Sequence, residues 1–148
     1  MPSTHTCLYV PFVFSTRERH RWINGSLEGR LHSYLGGIIR KLEGTAKIIG
    51  GDADHIHILA GLKATHRVDL LLRDIKSDSS KWVHREIGIA EFAWQDGYGA
   101  YSVSSSDIEK VRIYIENQKE HHRRKTFQEE YLDLLRESGI EFDERYLW

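Results

Sequence analysis

His55 and His57 stand one residue apart in GDADHIHILAGL, residues 51–62, a stretch otherwise composed like a buried strand. Side chains alternate along a strand, so His55, His57 and Leu59 share one face while Ile56, Ile58 and Ala60 share the other. Two neutral imidazoles so placed can reach a single divalent cation. The same positions also suit polar residues on the solvent side of a sheet. In VRIYIENQKEHH, Tyr114 and Gln118 are four residues apart and His121 lies three further on, so a helix would line them up beside its apolar stripe. There too a plainer reading exists, since amphipathic side chains often flank a core.

These groups need elements to hold them. A strand is expected from Cys7 to Phe14, with Pro11 marking an edge position or a bulge. Leu27, Leu31, Tyr34, Leu35, Ile38 and Leu42 recur at helical spacing from Ser26, and Gly44 can stop that helix. Lys47–Gly50 and His55–Ala60 read as strands joined by the turn-rich GGDAD. Val68, Leu71, Leu72, Ile75 and Trp82 mark a second helix, and DGYGAYSVS leads into a fourth strand near Ala100–Val103. Ser106 or Asp107 can cap a third helix with Ile108, Val111 and Ile115 inside. A last helix runs from about Phe127 to Glu137 and ends by Gly139. The order β-α-β-β-α-β is that of an α+β, ferredoxin-like (RRM-like) sheet with helices on one face, followed by C-terminal helices. It is a scaffold for many activities.

The 148 residues fit one domain, with 119–148 as its helical tail. A composition 40 % hydrophobic and 29 % charged is that of a globular protein, and no apolar run approaches the ~18 residues of a membrane span. The N-terminal stretch has no basic region before its apolar residues and no small-residue cleavage site, which predicts a cytoplasmic protein without membrane contact. Cys7 is the only cysteine, excluding an intramolecular disulfide and multi-cysteine zinc sites. A net charge of −1 conceals local basic clusters. On the second helix Arg73, Lys76, Ser77, Ser80 and His84, with Lys81 beside them, fall opposite the apolar stripe as phosphate contacts would. A solvated charged face has the same pattern. After the first strand, Arg17, Arg19, Arg21 and Trp22 form a basic loop with an aromatic able to stack on an unpaired base.

Taken together, His55, Ile56 and His57 as a His-hydrophobe-His motif, the approach WQDGYGAYSVS, and RIYIENQ with Tyr114 followed by Gln118 resemble the HUH single-tyrosine transposases. These comprise the insertion-sequence enzymes and their REP-associated relatives. The resemblance runs in the family's order from Leu8 to Gln118, and the long tail looks more like the REP-associated branch. It implies DNA nicking and strand transfer on single-stranded DNA next to a hairpin. Tyr114 would be the nucleophile, forming a 5′-phosphotyrosine intermediate. His55 and His57 would hold Mg²⁺ or Mn²⁺ with Gln118 as third ligand, and no nucleotide cofactor would be needed. The insertion-sequence members imply a homodimer, in which the tyrosine helix can serve either its own or the partner's site, whereas REP-associated members can act as monomers. A phenol, with a pKa near ~10, needs such an activated and aligned phosphate.

Rival readings fail on residues. A histidine-triad hydrolase would require a third histidine where Leu59 stands, and a 2H phosphoesterase would require two separated H-x-[ST] repeats. The chain leaves no room for the helicase or primase often attached to relaxases. A catalytically silent hairpin-binding regulator remains the alternative.

Overall fold

The computed structural model of the protein describes residues 3–148; Met1 and Pro2, the first residues of the stretch read for a targeting signal, lie outside the described residues. Strands β1 (Leu8–Ser15), β2 (Thr45–Asp52), β3 (His55–Leu62) and β4 (Gly99–Ala100) form an antiparallel sheet in the order β2-β3-β1-β4. Helix α1 (Ser26–Lys41) follows β1, and α2 (Val68–Trp82) follows β3, continuing into a π-helical turn that ends at Gly88. Helices α3 (Ile108–Glu116), α4 (Gln118–His121) and α5 (Phe127–Glu137) come last. Among the described residues no helix is long and apolar enough to cross a membrane.

Period-two alternation gives the sheet two unlike faces. Phe12 and Phe14 of β1 and Ile56, Ile58 and Ala60 of β3 enter the main core with Leu31, Leu35 and Ile39 of α1 and Leu72 and Ile75 of α2. On the opposite face, Val13 packs against Phe127, Tyr131 and Leu135 of α5, with Tyr101, Phe142 and Trp148 around them. The tail therefore lies over a sheet face, not along a sheet edge. In α5 the Thr126 hydroxyl accepts from the Glu129 amide, and Gly139 is left-handed at φ 67°, so both ends follow the expected chemistry.

Several local expectations need correction. β1 is interior, between β3 and β4. Pro11 is tolerated because its carbonyl, and hence its missing N–H, faces β4, whose ladder pairs only Phe12 and Val13. That fourth strand is Gly99–Ala100 and stops where Ala100–Val103 was expected to run. Gly44 does not turn the end of α1; Glu43 takes the left-handed conformation at φ 67°, and Gly44 only donates its amide to Ile39. The hairpin turn is just Ala53–Asp54, with Gly50 and Gly51 inside β2. Finally, Asn117 interrupts the third helix between Tyr114 and Gln118.

Candidate active site

His55 pairs with Ser15 and Asp52, and His57 with Val13 and Gly50, so both stand on an interior strand, His55 at its start beside the hairpin turn. They are buried, at 0 % and 4 % exposed, which removes the reading as solvent-facing residues. Gly51 lets β2 run close against β3: at φ 139°, a Cβ there would lie 2.2 Å from the His55 carbonyl oxygen. Gly50 lets α3 approach, since its Cβ would sit 2.4 Å from the Ile115 carbonyl oxygen. The residue next to Ile115 is Tyr114, so this close contact sets where the phenol stands.

Asp54 Oδ1 accepts a hydrogen bond from His55 Nδ1 at 2.8 Å. Burial would raise the Asp54 carboxyl, but His55 and then Arg21 outweigh it and hold it below its ordinary value. His55 Nε2 faces Gln118 Oε1 at 3.1 Å, and the Phe127 ring stacks on the imidazole at 4.2 Å. His57 Nε2 donates to Glu130 Oε1 at 3.0 Å. The other oxygen of this carboxylate, Oε2, accepts from the Tyr114 hydroxyl and from Gln118 Nε2, the latter at 3.3 Å. His122 Nε2 lies 2.8 Å from Gln118 Oε1 and 3.5 Å from Glu130 Oε1. His121 Nε2 is 3.1 Å from Glu130 Oε2 but is not aligned for a hydrogen bond and has no other partner.

Glu130 is thus a carboxylate, 2 % exposed, between the imidazoles and the phenol. Burial would push its carboxyl up, yet hydrogen bonds from His122 and His57 hold it well below the carboxylate range. Burial lowers the His57 ring despite Glu130, whereas at His122 the pull of Glu130 outweighs burial and raises the ring. The Tyr114 phenol is pushed well above its usual range, by burial first and by the Glu130 charge next. It therefore keeps its proton at neutral pH and needs an acceptor beside it. An open cleft lined by Pro11, Val13, His57, Tyr101, Ser102 and Tyr114 reaches the phenol.

The donor set fits a divalent cation. One ligand atom each from His55, His122 and Glu130 lie within 4.8 Å of one another, and imidazole, carboxylate and amide oxygen are all ordinary ligands for such ions. Asp54 behind His55 is the carboxylate–histidine pair that orients metal-binding imidazoles.

The basic residues are more divided. Arg17, Arg73, Lys76, Ser77 and Ser80 line one cleft with Trp94 and Tyr98. Lys76, however, donates to the carbonyls of Gln95, Asp96 and Gly97 at 2.5, 3.1 and 2.8 Å, so it ties down a loop. His84 contacts the Phe92 carbonyl at 2.6 Å, and Trp22 packs on Phe92 and His20 instead of standing free. Arg17 pairs with Asp96, Arg21 with Asp52 and Arg73 with Asp74, while Arg19 lies over the Trp148 ring. Lys81 is exposed.

With the histidine strand, the tyrosine helix and their sheet in place, comparison with known proteins becomes decisive. The sequence model of the family described as transposase IS200 like matches residues 4–118. The chain belongs to this family. Two solved structures share the fold of this IS200-like transposase. One is a candidate transposase from Deinococcus radiodurans R1, 18 % identical, with a TM-score of 0.64 over 80 % of this chain and 95 % of that one. The other is a REP-associated tyrosine transposase bound to a REP hairpin, 15 % identical, with a TM-score of 0.61 over 82 % of this chain and 74 % of that one. No curated protein sequence matches the chain.

His122 and Glu130 escaped the sequence reading. Glu130 did leave a trace: Phe127, Tyr131 and Leu135 form the buried stripe of α5, and position 130 falls on that same side. A lone carboxylate on an apolar helix face asks for a partner.

Proposed function

We propose that this IS200-like transposase cleaves and rejoins single-stranded DNA beside a hairpin through a 5′-phosphotyrosine bond at Tyr114, with Mg²⁺ or Mn²⁺ held by His55, His57 and Gln118. The observation that carries the reading is the meeting, around one buried carboxylate, of a phenol and imidazoles from distant stretches of the chain. When bound, the ion polarises the scissile phosphate and stabilises the leaving 3′ oxygen.

The remaining work falls to the protein. Tyr114 Oη forms the bond to phosphorus while the P–O3′ bond breaks. Glu130 Oε2 orients the phenolic hydroxyl through their hydrogen bond, the proton leaves to water as the new bond forms, and the departing 3′ oxygen takes a proton from water. Because the tyrosine ester keeps the phosphodiester's energy, a 3′ hydroxyl from another end can attack it and reseal the strand without a nucleotide cofactor. The cleft along Val13, His57 and Tyr101 is the entry path, and an unpaired strand suits it better than a duplex, whose phosphates are held on a rigid helix. Arg17 and Arg73, at the neighbouring cleft, supply phosphate contacts. The relative solved on a REP hairpin supports a hairpin-bearing partner. The phenol reaches the histidines of its own chain, so we read the nucleophile as acting in cis; the homodimer implied by the sequence resemblance would pair two complete sites.

A labelled hairpin oligonucleotide with a single-stranded flank, incubated with the protein and Mn²⁺, tests the proposal on a denaturing gel. Wild type should give a covalent adduct and Tyr114→Phe none. Ordinary hairpin affinity with no adduct from wild type would favour the silent regulator.

A further inference from the structure

The family match ends at Gln118, yet two side chains that close the site come from beyond it. We propose that His122 and Glu130 of the C-terminal segment are themselves ligands of the divalent cation, joining His55, His57 and Gln118, so that the tail is part of the metal centre. This deepens the metal-dependent reading above and rests on it.

The convergence of ligand atoms carries the proposal. His55 Nδ1 is taken by Asp54 at 2.8 Å, so Nε2 is the ring atom presented to the site. His122 Nδ1 is taken by the Lys125 carbonyl at 2.7 Å, so Nε2 is again the ring atom presented to the site. Between these two nitrogens, at 3.1 and 2.8 Å, stands Gln118 Oε1, an acceptor whose amide nitrogen is engaged by Glu130. Glu130 Oε1 adds a carboxylate oxygen 4.0 Å from His55 Nε2 and 3.5 Å from His122 Nε2. Four atoms able to ligate a cation thus converge in one buried place. Such an arrangement is unfavourable alone and favourable around a cation.

Distances agree. Ligand atoms about 2.0–2.2 Å from a common ion lie roughly 3–4.4 Å apart, and these contacts, at 2.8, 3.1, 3.5 and 4.0 Å, need only small shifts to match. His57 Nε2, 3.0 Å from Glu130 Oε1, brings the imidazoles around this carboxylate to three, and so nitrogen-rich a set suits Mn²⁺ over Mg²⁺. Glu130 would then join the metal centre to the nucleophile, Oε1 toward the ion and Oε2 toward Tyr114. The competing account makes His122 a histidinium paired with Glu130, a latch that holds the tail in place of the DNA phosphate.

The test is Mn²⁺ binding to the full chain after chelator treatment, by calorimetry, with pulsed EPR counting coordinated imidazoles. Wild type should bind one Mn²⁺ with three imidazoles. Glu130→Gln and His122→Ala should each weaken binding about tenfold or more, His122→Ala should lose one imidazole signal, and exposed Glu129→Gln should change nothing. Two imidazoles in wild type, or unchanged Mn²⁺ affinity in both variants, would overturn the proposal, and higher cleavage in those variants would identify the latch. If Glu130→Gln misfolds, the imidazole count of wild type and the His122→Ala affinity decide. Should wild type bind no Mn²⁺ at all, the metal-dependent function fails with it; should only His57→Ala lose affinity, the function stands and this inference does not.

Discussion

The two faces of one sheet are made from the same strands and do opposite things. On β3, Ile56 and Ile58 point into a core closed by α1 and α2, while His55 and His57, one residue away each, point into a polar site closed by α3, α4 and α5. The apolar face needs only volume and hydrophobicity, and many side chains would serve there. The histidine face needs particular atoms at particular distances, with every buried polar group answered by another. Placing polar side chains on alternate residues of interior strands lets the core set the positions of the imidazoles. It also means that damage to each face should be distinguishable.

The largest effect expected is on the core face. Phe14 is fully buried and meets Trp94 edge-on at 4.8 Å, so Phe14→Ala should cost about 3–5 kcal/mol in denaturant unfolding and reduce every function together. His57→Ala should do the reverse. Cleavage of the hairpin oligonucleotide should fall by about 10³-fold or more, while hairpin affinity, measured by fluorescence anisotropy, stays close to wild type. A parallel loss of cleavage and binding in that variant would erase the contrast between the faces.

Gly50→Ala is an intermediate case, because it removes no side chain of the site and moves one helix. Its Cβ must displace the Ile115 carbonyl, and with it Tyr114, so cleavage should drop roughly 10²-fold with the circular dichroism spectrum retained. The smallest effects separate two basic residues of the neighbouring cleft. Arg73→Ala should lower the salt dependence of hairpin binding by about one phosphate contact. Lys76→Ala should instead lower the melting temperature, since its ammonium ties three carbonyls of one loop.

Legibility in the sequence followed the range of the interactions. His55 and His57 were readable because strand alternation is local, and Tyr114, Gln118 and His121 because helical spacing is local, despite the break at Asn117. Their burial was not readable, since it depends on α5 folding back over the sheet. Glu130 and His122 were missed for the same reason: the contact between His57 and Glu130 spans 73 positions, and no periodicity links them. Pro11 misled because the rule that sends proline to edge strands concerns hydrogen-bonding sides, and the β4 side of β1 is nearly empty of ladder bonds. The basic face of α2 was legible as a pattern, while the engagement of Lys76 with loop carbonyls was not.

The central claim is that the phenol on α3 acts on a phosphate presented by the histidine face of its own chain. Mixing Tyr114→Phe with His57→Ala protein and mapping any DNA-linked peptide by mass spectrometry tests it most directly, with wild type as reference. Wild type should yield a nucleotide on the peptide containing Tyr114, and the mixture none. A DNA-linked Tyr114 peptide from the mixture, or a wild-type adduct on any other residue, would contradict the account.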